Sequence, residues 1–174
     1  MKENKIRTKD LTVTALLMAL NIIMSTSVLS VPVPGGHMYL NDVIIVTAAI
    51  LLEPFCAFLV GGVGAFIGDM LFYPAPMFVS LITHGLQAVV VSLISHRLKT
   101  GRQLLSSSLA VSAGAVLMVI GYTLGRAYVY STPEYAVLKL PFEILQGGFG
   151  AVASILLLYP MRIRTVYEHL HRFG

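Results

Sequence analysis

The sequence predicts an all-α integral membrane protein of six transmembrane helices, and three observations predict it. Of 174 residues, 56% are hydrophobic and only 11% charged, with a mean hydropathy of +0.82. A soluble domain charges about a quarter of its residues. So much apolar surface in so short a chain exceeds what one core buries, which makes lipid the solvent for much of it. The second observation is punctuation: prolines and glycines cut the chain into long apolar runs. The third is charge. Lys2, Lys5, Arg7 and Lys9 precede the first run, Arg97, Lys99 and Arg102 follow the fourth, and Arg162, Arg164 and Arg172 follow the sixth. Ten of the twelve Lys and Arg thus fall on one face, cytoplasmic by the positive-inside rule, leaving Arg126 and Lys139 outside. Residues 1–174 are one six-helix domain with a cytoplasmic N-terminus (1–10) and a basic cytoplasmic C-terminal tail (160–174).

Each element follows from its residues. The first helix covers 11–29 and is retained, because no small-x-small cleavage pattern precedes Val31-Pro32. Ala15 and Ala19 share a face, and small residues at that spacing admit a second helix, from this chain or another. Pro32, Pro34 and Gly35-Gly36 forbid helix over 30–41. Asn41 or Asp42 suits the N-cap of a helix over 42–52, too short to span unless tilted or extended. Pro54 fits the first turn of a third helix ending near residue 72. Ala57, Gly61 and Ala65, with Gly64 and Gly68, form two small-residue rows that predict close packing against two neighbours. Tyr73-Pro74-Ala75-Pro76 is a turn. A fourth helix runs to residue 96, a fifth over 104–130, and a sixth from Pro133 or Pro141 to 159, where Pro160 ends it.

With that topology, the polar side chains gather near the outer surface. His37, Tyr39, Asn41 and Asp42 lie at the outer end of the first helix pair, and Asp69 closes the third helix. His84 and Gln87 share a face of the fourth, Tyr122 and Arg126 of the fifth, and Glu143 and Gln146 of the sixth. Each has a plain structural reading. His84–Gln87 fits an interhelical hydrogen bond, Arg126 a pairing with Asp69 or Glu143, Asp42 a cap, and Tyr39 and Tyr73 an interfacial belt. An ionisable side chain at the bilayer centre costs about 2.5–3.5 kcal/mol, and a relay or channel needs polar groups through the full depth. Their confinement to one half predicts a blind, outward-facing pocket.

Other chemistries are excluded by motif. There is no P-loop, HExxH, CxxC or GxSxG, and GGVGAFIG lacks the spacing and preceding strand of a dinucleotide fingerprint. Cys56 stands alone, which rules out a disulfide or thiolate metal centre. His169 and His171 are two apart and point opposite ways on a helix. No catalytic residue, metal ligand or cofactor is predicted. The basic residues sit at run ends rather than in a stripe, so no nucleic acid partner is expected. No internal repeat links the two halves, and a small chain with a pocket but no motor works with other subunits.

One family matches these features. The basic start, the Ala15-x-x-x-Ala19 helix, the segment Gly36-His37-Met38-Tyr39-Leu40-Asn41-Asp42 and the run LLEPFCAFLVGGVGAFIGDML resemble the substrate-binding S component of an energy-coupling factor (ECF) vitamin transporter. The resemblance is strongest over the first four helices, and within the family it leans to the pyridoxine or hydroxymethylpyrimidine branch, which shades into riboflavin and cobalamin types. It implies a multi-pass protein of a bacterial plasma membrane that binds a vitamin on its outer face. It further implies docking through Ala15 and Ala19 onto an ECF transmembrane coupling subunit, with two cytoplasmic ATPase subunits driving uptake. Relatives often carry Gly before the helix-2 Asp and Lys in the region of His84; this chain has Asn41 and His84. For a ligand such as pyridoxine, Tyr39 or Phe78 offers a stacking ring, and Asp42, His84, Gln87 and Glu143 offer hydrogen bonds. Two rival classes remain: a self-contained oligomeric channel or carrier, and a membrane enzyme using His84 with Glu143 as an acid–base pair.

Overall fold

The computed structural model describes residues 8–26, 30–98 and 103–172, with side chains to residue 169. Lys2, Lys5, Arg7, Lys99 and Arg102, on which much of the charge-based topology rests, lie outside the described residues, as does the predicted end of the first helix at 27–29.

Among the described residues, seven helices and one hairpin follow in order. They are α1 (Thr8–Met24), β1 (Val31–Val33), β2 (Gly36–Met38), α2 (Asp42–Leu51), α3 (Pro54–Phe72), α4 (Met77–Arg97), α5 (Gln103–Tyr130), α6 (Pro133–Leu158) and α7 (Ile163–Arg172). Of these, α3 to α6 are long and apolar enough to cross a membrane by length and composition. With 17 and 10 residues, α1 and α2 are shorter. At its C-terminus α1 tightens, Ser25 N–H bonding to Ile22 O and Thr26 N–H to Ile23 O.

The short apolar helix α2 is the innermost. Ile45, Ala48 and Ala49 of α2 have no exposed surface, and α1, α3, α4 and α6 all pack against it. A helix enclosed on every side has no use for a polar face, and DVIIVTAAIL has almost none. Its neighbours come close through glycine. A Cβ at Gly61 would lie 2.8 Å from both Ala88 Cβ and His84 O of α4, and one at Gly64 would lie 2.7 Å from Asn21 Nδ2 of α1. The two small-residue rows of α3 therefore face two different helices, as their spacing predicts. A π-helical turn at Leu59–Val63 contains Gly61, and Asn21 Nδ2 donates to the Val60 carbonyl there at 2.6 Å. A second π turn, Arg126–Tyr130, ends α5.

Three local expectations change. Residues 30–41 are free of helix but contain an antiparallel hairpin, with Val31 opposite Met38 and Val33 opposite Gly36. Gly35 (φ +82°) and Gly36 (φ +143°) supply the left-handed turn that closes it. Asn41 precedes α2 but does not cap it: its backbone is already helical, and its side chain donates to Ser25 Oγ at 3.1 Å instead. The basic tail contains a helix. Arg162 takes a left-handed conformation (φ 59°) after Pro160, and this turn redirects the chain into α7.

Candidate functional site

A narrow cavity with about 30 Å³ of free space opens where α3, α4, α5 and α6 end beneath the hairpin. Tyr39, Asp69, Tyr122, Arg126, Glu143 and Gln146 line it, together with His37, Tyr73, Pro76, Met118, Tyr130 and Lys139. It therefore combines five ring side chains with two cations and two carboxylates.

The π turn of α5 ends in the cavity wall and carries Arg126. Its Nε and Nη2 each lie 3.4 Å from Glu143 Oε1, and Nη1 donates to the Gly35 carbonyl at 2.6 Å. The guanidinium sits over the Tyr130 ring, 5.1 Å from its centroid. Thr123 Oγ1 donates to the other Glu143 oxygen at 3.2 Å. One turn from Glu143 on α6, Lys139 donates to the His37 carbonyl at 2.5 Å. Two cations thus hold the hairpin by its backbone carbonyls. At its far end, Tyr39 N–H donates to Gln146 Oε1 at 3.0 Å. Burial pushes the Tyr39 hydroxyl up to about 12, with the Asp69 carboxylate adding to the effect, so it stays a proton donor throughout the physiological range.

Beneath the cavity lies a fully buried polar layer. Asp42 accepts from Gln87 Nε2 at 2.9 Å and from Gln146 Nε2 at 2.6 Å. At the N-terminus of α2 its carboxylate also meets the positive end of the helix dipole. His84 Nδ1 pairs with Gln87 Oε1 at 2.7 Å and lies 3.9 Å from Asp42 Oδ1. Edge to face, the His84 ring meets Tyr122 at 5.1 Å between centroids. Tyr122 and Ser80 share a hydrogen bond at 2.6 Å, and Ser80 donates to Asp69. The two layers are thus joined through Gln146 and Tyr122.

The residues singled out from sequence accordingly divide. Asp42, His84 and Gln87 form the lower layer and do not line the cavity. Asn41 is engaged with Ser25 and does not line the cavity. Phe78 is 59% exposed and packs on Phe66 at 5.6 Å; its neighbour Val79 takes the inward position, so Phe78 faces outward and offers no stacking surface to the cavity. His84 and Glu143 lie in different layers with separate partners. His37 belongs to the outer polar group that the sequence marks, whereas Tyr73, Pro76, Met118, Tyr130 and Lys139 are not given a ligand role by it. The spacing Lys139–Glu143 and Arg126–Tyr130, four apart on one helix face, carries the signal that finds two of them. Among the described residues, no group of three His, Cys, Asp or Glu is arranged to hold a metal ion.

Two polar atoms in the lining are unsatisfied. His37 Nδ1 and Tyr130 OH are buried without a hydrogen-bond partner, an arrangement whose cost a bound molecule with complementary groups removes.

Comparison with known proteins supplies the family. An uncharacterised protein of Pyrococcus woesei, from the gap 3′ region, is 31% identical over 134 residues, which is 75% of this chain and 87% of that protein. A family model described as the S component of the ECF-type riboflavin transporter matches residues 5–163. That family consists of transport components and is not an enzyme family. The chain belongs to the ECF-type riboflavin transporter S component family.

Proposed function

We propose that this chain captures a small water-soluble vitamin with a nitrogen-containing aromatic ring, of the pyridoxine or hydroxymethylpyrimidine class, in the cavity beneath the hairpin. The bundle would cross the plasma membrane six times, α1 and α2 included, with both termini cytoplasmic and the cavity outward. A transmembrane coupling subunit and two cytoplasmic ATPase subunits would convert capture into uptake. One observation carries this reading: His37 Nδ1 and Tyr130 OH wait unpaired in a pocket that also holds tyrosine faces and the Arg126–Glu143 pair. A flat heterocycle bearing hydroxyls satisfies both atoms while stacking on a ring.

For docking, Ala15 and Ala19 are exposed on α1 beside Leu16 and Leu20, whereas Thr14 and Asn21 turn inward. That supports their assignment to the coupling-subunit contact.

A second reading, riboflavin, is favoured by the description of the matching family. Titration of the purified protein with pyridoxine, hydroxymethylpyrimidine and riboflavin separates the two, alongside mass spectrometry of whatever co-purifies. Tight binding, at about −12 kcal/mol for a nanomolar constant, is expected for one of the first two and not for riboflavin. Riboflavin as the tight ligand replaces the first reading with the second. Binding of none removes both.

A further inference from the structure

We propose that α7 is an interfacial helix that binds anionic phospholipid at the membrane surface, through an apolar edge and Arg162 just ahead of it. The chain leaves α6 at Leu158 and turns at Pro160 and the left-handed Arg162, so α7 begins within a few residues of a membrane-crossing helix. Two contacts fix its rotation. Tyr167 OH donates to Asp10 Oδ1 of α1 at 3.2 Å, and Arg164 donates to the Tyr159 hydroxyl at 3.1 Å. With Tyr167 and Arg164 turned to the bundle, Ile163 and Val166 emerge on the flank, 36% and 58% exposed, and Met161 ahead of them is 66% exposed.

Apart from Tyr167 and Leu170 the other residues of this helix are polar, so Ile163 and Val166 make an apolar edge on a mostly polar helix. Beside a bundle whose long helices are apolar outward, the same edge lies at the depth where acyl chains begin. The exposed Arg162 stands at the start of this edge, and the sequence expectation puts this end of the bundle at the cytoplasmic leaflet, where anionic headgroups concentrate. Apolar edge and cation together fit a phospholipid surface better than a protein groove.

The test uses the full chain in nanodiscs of phosphatidylcholine with or without phosphatidylglycerol. Cys56 is buried, so Val166→Cys gives one accessible attachment point for a nitroxide. Its relaxation is compared with molecular oxygen, which enters lipid, and with a water-soluble nickel chelate. Preferential exposure to oxygen, strengthened by phosphatidylglycerol, supports the proposal. Arg162→Gln is expected to lower the ratio of lipid-exposed to water-exposed label about fivefold, the effect of one basic residue at an anionic surface. Exposure to nickel places the helix in water and overturns it. Protection from both reagents means that protein covers the edge, which overturns it equally, as does indifference to phosphatidylglycerol. Amide hydrogen exchange of residues 161–169 in the unlabelled protein gives a second measurement should the cysteine variant misfold: slower exchange in phosphatidylglycerol nanodiscs supports the proposal, and equal exchange overturns it.

Discussion

The Asp42 carboxylate accepts a hydrogen bond at 2.6 Å from Gln146, 104 residues further along the chain. The other end of the same amide accepts from Tyr39 N–H. One side chain of α6 therefore fixes both the carboxylate at the foot of α2 and the strand end that closes the cavity. An amide is suited to this position because it donates and accepts at once; a carboxylate has no donor and an aliphatic chain has neither.

Gln146→Leu is accordingly expected to leave Asp42 with Gln87 as its remaining side-chain donor. The loss in stability should be about 1–3 kcal/mol, the cost of an unsatisfied buried group, with ligand affinity falling as the hairpin loosens. Gln146→Glu sets two carboxylates face to face and should be worse. Thermal unfolding in detergent, paired with ligand titration, checks both, and unchanged affinity in Gln146→Leu would detach this residue from the site.

Arg126 and Glu143 form a buried pair, and Arg126 also holds the hairpin through Gly35. Removing one partner strands the other charge, so Arg126→Gln and Glu143→Gln should each cost about 3–5 kcal/mol. The double variant Arg126→Gln/Glu143→Gln should cost less than the sum of the two. Strict additivity in unfolding measurements would mean that the pair is not coupled.

Glycine packing offers a matched comparison. At Gly61 a methyl group meets the His84 carbonyl, which is backbone, at 2.8 Å, whereas at Gly148 nothing lies within 4 Å. Gly61→Ala should therefore destabilise by about 1–3 kcal/mol and disturb His84. Gly148→Ala should be neutral or stabilising by up to about 1 kcal/mol. Equal behaviour of the two variants would contradict the packing between α3 and α4.

Replacing Ala15 or Ala19 by Trp should leave ligand binding intact, because both are exposed and neither lines the cavity. Uptake by cells or proteoliposomes holding the coupling subunit and ATPases should be lost. Retained uptake would withdraw the docking role of α1.

How much of this was legible follows from where each signal lives. The ends of α2 and α3 could be read because Asp42, Pro54 and the Tyr73–Pro76 turn act locally. His84 and Gln87 could be assigned one face because helical spacing is local as well. The hairpin escaped because its three-residue strands pair only with each other, and its prolines and glycines spoke more strongly for a loop. The helix α7 escaped because its period was hidden among charges already assigned to topology. Phe78 falls outside the cavity lining for a further reason: which flank of α4 faces inward depends on where α3 and α5 press against it, and no residue of α4 alone encodes that.

The π turn at Leu59–Val63 has its own consequence. An extra residue in that turn offsets everything after it by about 100° relative to a regular helix. Shortening the segment by a single position would leave a continuous, equally greasy membrane rod, so insertion and expression should survive. Asp69 would nonetheless swing away from Ser80, and Gly64 and Gly68 would miss α1. Such a deletion should yield a protein that reaches the membrane but is blind to its ligand, which gel mobility and titration would distinguish.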